Sequence, residues 1–278
     1  MTTSVTRLVQ VPGGRLHAVE EGAGPPILLL HAGIADLRAW DALVPHLVAA
    51  GFRTIRYDQR GFGRSETDAV ELSNRADVIA VLDAFGIGRA CLVGNSRGGQ
   101  IAIDTAVEFP DRVAALVTLG AGLGGFEADV TPAEMALFEQ AEAIEEAGDP
   151  DAIAAFDVGL WGDGPGPPVG RLQADVRDTL LGRARAAADP ARERGTPIPL
   201  EPRAATRLDA LTMPVLAIAG ALDVSDTVAT AEHLAASVAE GRAVTIPGVA
   251  HMMAMEAPVR VAELIVETLV PLGDFDRA

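Results

Sequence analysis

Nucleophilic chemistry at a carbonyl needs an exposed nucleophile, a base to deprotonate it and a group to orient that base, and this chain carries a candidate for each. Ser96 stands in Gly94-Asn95-Ser96-Arg97-Gly98, between the apolar run "ACLV" and a helical pattern. The spacing G-x-S-x-G suits a sharp strand-to-helix turn that presents the serine hydroxyl above a sheet. Small residues at 94 and 98 let strand and helix approach, and the serine sits in a strained backbone conformation. A glycine-rich turn with an incidental serine is the competing reading of the pentapeptide alone.

The base is expected at His251, which follows "VTIPGVA" and so falls in a loop at the C-terminal edge of a sheet. An imidazole titrating near neutrality can take the serine proton and return it to a leaving group. His17 falls in a hairpin, His46 and His233 fall inside helical patterns, and His31 lies beside the anticipated oxyanion site. Asp223, three residues after Gly220, would hold the His251 tautomer and stabilise its imidazolium. Asp226 is the rival, better placed as the N-cap of the next helix. The oxyanion would be met by backbone N–H groups, one of them from Arg97 just after the nucleophile.

These parts need a scaffold, and the pattern supplies one. Short β-rich runs alternate with helical stretches through the first 120 residues, which signals an α/β protein with a mostly parallel sheet. "RLVQV" and "RLHAVEE" flank a Pro12-Gly13-Gly14 turn as an edge hairpin. Strands follow at 25–31, 52–58, "ACLVGN" and "VAALVTLG", with helices at 37–49, 74–86 and 97–109. The rhythm changes after Gly125. Thr131-Pro132-Ala133-Glu134 has the form of a capping box, Asp149-Pro150 opens a helix near 151–160, and a third helix covers 172–188 beyond the connector "GDGPGPPVG". Residues 123–206 therefore read as helices without strands. Strands resume at 213–220 and "RAVTIPG", with helices at 226–238 and 258–270.

Taken together, the chain resembles the α/β-hydrolase fold superfamily, serine-nucleophile branch, over nearly its whole length. The likeness rests on five motifs in order: His31-Ala32-Gly33, "DQRGFGRS" at 58–65, the serine elbow, "GALD" at 220–223 and "GVAH" at 248–251. It implies a roughly eight-stranded sheet flanked by helices, with residues 1–122 and 207–278 as the two parts of the core and 123–206 as an inserted helical cap. It implies the chain order Ser96, Asp223, His251, a structural His31, and Gly33 as the second oxyanion donor, or Ile34 if the loop is shifted. Ala32 stands where the family often has glycine, which restricts φ there. Asp58 and Arg60 are expected to brace their loop. Of the cap's apolar residues, Phe138, Phe156 and Trp161 are pocket candidates together with Ile34.

A serine nucleophile argues against the dehalogenase and epoxide-hydrolase branches, which need a carboxylate. Acyl chemistry remains: cleavage of a small, mainly apolar ester, lactone or thioester. The sharpest rival is the branch that cleaves C–C bonds of β-diketone-like ring-fission products, whose members often carry Gly-Asn-Ser at the elbow. A binding protein on the same fold is a third reading, disfavoured by the intact Ser96, Asp223 and His251 set.

Composition limits the partners. A net charge of -17, from 39 acidic and 22 basic residues, disfavours nucleic acid and anionic membrane surfaces. All the basic residues are arginine. The single Cys91 excludes an intramolecular disulfide. The start "MTTSVTRLVQ" has no apolar leader and no 18-residue apolar run exists, so a cytoplasmic protein is expected. No Walker lysine, dinucleotide fingerprint or metal-ligand spacing is present, so neither cofactor nor metal is implied. A small-molecule substrate is the expected partner; a homodimer is compatible with the sequence.

Arg97 brings a cation to a helix N-terminus, where the dipole disfavours it. Its side chain is therefore expected to turn from Ser96 toward a carboxylate, Asp58 or Glu256. Asp223→Asn should lower turnover by orders of magnitude with an unchanged circular dichroism spectrum; near-normal turnover would move the acid to Asp226.

Overall fold

The computed structural model describes residues 4–166, 168 and 170–276, so Pro167 and Val169 of the proline- and glycine-rich connector lie outside the described residues. The first half of the chain runs β1 (Val5–Val11), β2 (Gly14–Gly22), β3 (Pro26–Leu30), α1 (Val44–Ala49), β4 (Arg53–Tyr57), β5 (Glu66–Thr67), β6 (Glu71–Leu72), α2 (Asn74–Ala84), β7 (Ala90–Asn95), α3 (Arg97–Glu108) and β8 (Val113–Leu119). Then come α4 (Pro132–Ala147), α5 (Pro150–Asp157), α6 (Ala174–Ala187) and β9 (Thr196–Pro197). The chain ends with β10 (Val215–Gly220), α7 (Ser225–Ala236), β11 (Gly241–Ile246), α8 (Met253–Glu256) and α9 (Pro258–Leu269).

The main sheet has the order β1-β2-β4-β3-β7-β8-β10-β11, with β5 added beside β2. Pairing is antiparallel around β2 and parallel from β4 to β11. Every residue of β3, β7, β8 and β10 is buried, because helices cover both faces of the parallel region. One core cluster gathers Leu28, Leu92, Ile103 and Leu116 with α2 and α3; the other gathers Leu29, Val93, Val117 and Ile265 on the opposite face. Cys91 is buried in the second cluster, where burial pushes its thiol far above the usual range. Among the described residues no helix is long and apolar enough to cross a membrane.

Two elements differ from the sequence pattern for local reasons. The helical spacing at 37–49 resolves into a 3-10 turn at Leu37–Trp40 and the separate helix α1. Pro45 lies in the first turn of α1 and has no N–H to continue a helix from the preceding turn. Within 123–206 the chain also forms β9, which pairs in parallel with β6 outside the main sheet. Thr196 N–H and Ile198 N–H donate to the carbonyls of Val70 and Leu72 at 2.8 and 2.7 Å, and the intervening Pro197 needs no acceptor. Beneath the helices of this segment, Ala154, Val158, Leu172 and Leu180 pack on Ala32, Ala35, Ala39 and Met252 from the loops above the sheet.

The β7–α3 junction is closely packed. A Cβ at Gly98 would overlap the Leu30 and His31 carbonyls of the neighbouring strand end, and one at Gly94 would overlap the Gly98 backbone. Neither obstacle is a flexible side chain, so neither can move cheaply. Gly98→Ala is expected to cost about 3 kcal/mol in chemical denaturation. Gly122→Ala, where an added Cβ meets nothing within 4 Å, should stay within about 0.5 kcal/mol of the parent.

Candidate active site

Ser96 joins β7 to α3 with φ 54° and ψ −119°, and among the described residues no other non-glycine has a positive φ. Such a conformation costs about 1–3 kcal/mol and persists only where its surroundings impose it. Here the Ser96 N–H donates to Leu119 O at 2.8 Å, and Gln100 N–H donates to Ser96 O at 3.0 Å. The Asn95 amide donates to Leu119 O at 2.9 Å and to His251 O at 3.2 Å, so the residue before the serine also braces the histidine loop.

His251 and Asp223 meet as a buried pair, with Nδ1 2.7 Å from Asp223 Oδ2. A carboxylate oxygen only accepts, so the hydrogen-bond network assigns the proton to Nδ1 and leaves Nε2 as an acceptor. The other Asp223 oxygen accepts from Val224 N–H at 2.8 Å. Gly120, at φ 55°, closes over the pair: a Cβ there would come within 2.9 Å of both Asp223 Oδ2 and His251 Nδ1. Asp226 is not the N-cap that the sequence suggested. Helix α7 starts at Ser225 with Val224 at the cap position, which puts Asp226 in its first turn.

The acceptor at that helix start comes from α4. Glu134 Oε1 accepts from Ser225 N–H at 2.6 Å and Oε2 from the Ser225 hydroxyl at 2.7 Å, while Glu134 also completes the expected capping box with Thr131. Burial alone would raise this carboxyl, but the hydrogen bonds from Thr131 and Ser225 outweigh it and hold it at about 2. A second tie runs beside the histidine. Arg171 pairs with Glu256 Oε2 at 2.6 Å, and Glu256 Oε1 accepts from Ala250 N–H at 3.0 Å.

On the opposite side of Ser96, Ala35 N–H closes on Ala32 O at 3.1 Å, and this turn leaves the Gly33 and Ile34 N–H groups outside its own bond. Arg97 N–H belongs to the first helical turn, whose amides lack intrahelical acceptors. Ala32 is not a positive-φ residue, so the departure from glycine at this position costs nothing. His31 is fully buried: Nδ1–H donates to Ala32 O at 2.8 Å and Nε2 accepts from Gln59 N–H at 3.0 Å. Burial depresses its pKa and the ring stays neutral, a brace for the loop. Asp58 likewise accepts from Leu37 N–H at 2.9 Å and Arg64 N–H at 2.8 Å, and Arg60 pairs with Asp77 at 2.7 Å.

Arg97 departs from expectation. Its Nε donates to Gln59 Oε1 at 3.0 Å and its guanidinium lies 5.8 Å from the Phe62 ring centre, with neither Asp58 nor Glu256 as partner. Both carboxylates are already engaged, Asp58 by His17 and two backbone N–H groups, Glu256 by Arg171 and Ala250.

Ser96, His251, Gly33 and Arg97 line one cavity of about 410 Å³, together with Ala32, Ile34 and residues of 123–206 that include Trp161. Of the anticipated pocket residues, Ile34 and Trp161 are in this wall, and the Trp161 ring lies 4.6 Å from that of His251. Phe138 and Phe156 are not. Phe138 stacks behind Trp161 at 6.5 Å, and Phe156 lines a separate depression between α4 and α5. Ile153 and Asp157, one turn apart on α5, line the cavity, while Phe156 lies to the side of that stripe with Ala155 and faces the depression. The chamber is also not mainly apolar, since Arg97, Arg194, Glu145 and Asp157 all border it. The last three escaped the sequence because nothing distinguishes them from the many other charges of 123–206. Among the described residues no cluster of three or more His, Cys, Asp and Glu could hold a metal.

The family profile described as the alpha/beta hydrolase fold matches residues 25–156. Epoxide hydrolase B of Mycobacterium tuberculosis is 34% identical over 132 residues, 44% of this chain and 37% of that one. The 2-hydroxy-6-oxo-6-phenylhexa-2,4-dienoate hydrolase of Comamonas testosteroni is 35% identical over 114 residues, 38% of this chain and 40% of that one. The chain thus spans about two fifths of the length of these curated relatives. A thermophilic esterase of Thermogutta terrifontis superposes with a TM-score of 0.71 at 26% identity, covering 98% of this chain and 99% of the other. The chain has the α/β-hydrolase fold. As in other open α/β sheets, this cavity lies beyond the C-terminal ends of the strands, here β3, β7, β10 and β11.

Asp157 gives this site a measurable pH signature. Burial, and then the nearby Glu145, raise its carboxyl to about 6, opposed by a hydrogen bond from Trp161. The folded chain therefore binds this proton more tightly than the unfolded one between about pH 4 and 6, and this group's contribution to stability falls as pH rises through that window. Asp157→Asn should melt like the parent below about pH 4 and be more stable above pH 6, by on the order of 1 kcal/mol or roughly 2–4 °C. An equal offset at all pH values would contradict the assignment.

Proposed function

We infer that this protein is a serine hydrolase that cleaves a small carboxylic ester or lactone through an acyl-enzyme. The observation that carries the reading is the buried His251–Asp223 pair at 2.7 Å, opening on the same cavity as a serine held at φ 54°. His251 Nε2 takes the Ser96 proton as Oγ attacks the carbonyl carbon, and Asp223 stabilises the imidazolium. The backbone N–H groups of Arg97 and Gly33 receive the oxyanion of the tetrahedral intermediate. Collapse expels the alcohol, which takes the proton from His251, or opens the lactone ring. Water, deprotonated by the same histidine, then releases the acid and restores Ser96. Ser96 itself argues against the chemistry named for the epoxide-hydrolase relatives, which in that branch requires a carboxylate nucleophile.

Cleavage of a C–C bond next to a carbonyl is the second reading, supported by the identity to the dienoate hydrolase and by the charged cavity wall. Turnover of p-nitrophenyl acetate, γ- and δ-lactones and a ring-fission diketone, with Ser96→Ala as control, tests the two together. Ester or lactone hydrolysis abolished in Ser96→Ala is expected; diketone cleavage exceeding it by orders of magnitude would replace the first reading with the second. A fluorophosphonate probe should label Ser96 in the native chain, and absence of labelling would favour a binding protein.

A further inference from the structure

Two arginines, Arg97 and Arg194, line the cavity that holds Ser96. Arg97 and Arg194 lie 5.8 and 5.3 Å from the same Phe62 ring, and the charge of Arg194 is felt at Arg97. Among the described residues their side-chain hydrogen bonds go to neutral acceptors: Arg97 to the Gln59 amide oxygen, Arg194 to the Ala187 carbonyl. Neither has a carboxylate partner there, in a chain with 39 acidic residues. Burial depresses the Arg97 pKa, opposed by Tyr57 and reinforced by Arg194. Two adjacent cations, one largely desolvated, are unfavourable unless an anion joins them. A planar guanidinium fork is suited to bind a carboxylate bidentately.

The other charged wall fixes where such an anion can lie. Glu145 and Asp157 border the same cavity, and Asp157 is tied to Trp161, whose ring packs on His251. The leaving group must lie by His251 to receive its proton, so the leaving-group side is the acidic side. The Arg97 side chain instead runs along the oxyanion turn, with its Cδ 3.7 Å from where a Cβ on Gly33 would stand.

We propose that Arg97 and Arg194 form an anion subsite, and that the ester or lactone cleaved here carries a carboxylate on its acyl portion, a few bonds from the scissile carbonyl. This rests on the hydrolase reading above, and names its substrate class. The acidic wall repels the same carboxylate from the leaving-group side, so one orientation is selected twice.

The test separates the two claims by measuring binding without turnover. In Ser96→Ala, titration calorimetry or ligand-observed NMR compares monomethyl succinate with methyl levulinate, a neutral ester of similar shape. A preference of at least tenfold for monomethyl succinate is expected. It should shrink several-fold in 0.5 M NaCl and fall to near parity when Arg97→Gln or Arg194→Gln is added. Equal binding of both esters by Ser96→Ala overturns the proposal, as does a preference that survives both arginine changes. If Arg97→Gln does not fold, Arg194→Gln decides, since Arg194 is exposed on the cap. Absence of any Ser96-dependent hydrolysis of esters and lactones, monomethyl succinate included, would refute the hydrolase reading, whereas the anion subsite is decided by the binding ratio in Ser96→Ala.

Discussion

The backbone of Ser96 is the constraint on which the remaining geometry depends. Its φ of 54° turns the chain from strand into helix within one residue, and only close packing holds it there. Gly94 and Gly98 admit the neighbouring backbones, Leu119 accepts the Ser96 N–H, and Asn95 grips the carbonyl of His251. The local strain is thus met by contacts from β3, β8 and the loop after β11. The same contacts set the distance between the proposed nucleophile and its base.

The segment over the sheet does more than cover the site. Glu134 ends the free N–H groups of two helices, its own and α7, the latter two residues beyond Asp223. Arg171 reaches Glu256, which holds the amide just before His251. Trp161 packs on the His251 ring from a π-helical turn at Val158–Asp163, a geometry that shifts side chains out of ordinary helical phase. Each partner of the proposed triad other than serine is therefore tied to 123–206 by a hydrogen-bonded carboxylate. Movement of that segment would be felt at the acid and the base before it reached the nucleophile.

Electrostatics divides the cavity. An acidic chain lines one cavity with two arginines and two carboxyls, while Gln59 joins His31 and Arg97 through hydrogen bonds of its amide groups. Because Gln59 is uncharged, Arg97 keeps its full charge for whatever enters.

Much of this was legible in the chain. Period-two and continuous apolar runs marked the buried strands, and the capping box at Thr131 was readable because its bonds are local. The elbow and the order Ser96, Asp223, His251 were legible because strand ends carry turn residues at short, fixed offsets. Less was readable where the partner is distant in sequence. β9 looked like a loop because its pairing energy comes from β6, 125 residues away in the register Glu71 with Thr196. Arg97 was expected to find a carboxylate, but Asp58 and Glu256 were already held by backbone N–H groups that no sequence spacing reveals. Phe156 was apolar enough for a pocket, yet helix phase turned Ile153 and Asp157 inward instead. The sequence by itself determined the elements, the elbow and the candidate chemistry, since propensity, periodicity and turn geometry act over a few residues. Only the tertiary structure decided which charges face the cavity, because that depends on which partners long-range packing leaves unsatisfied.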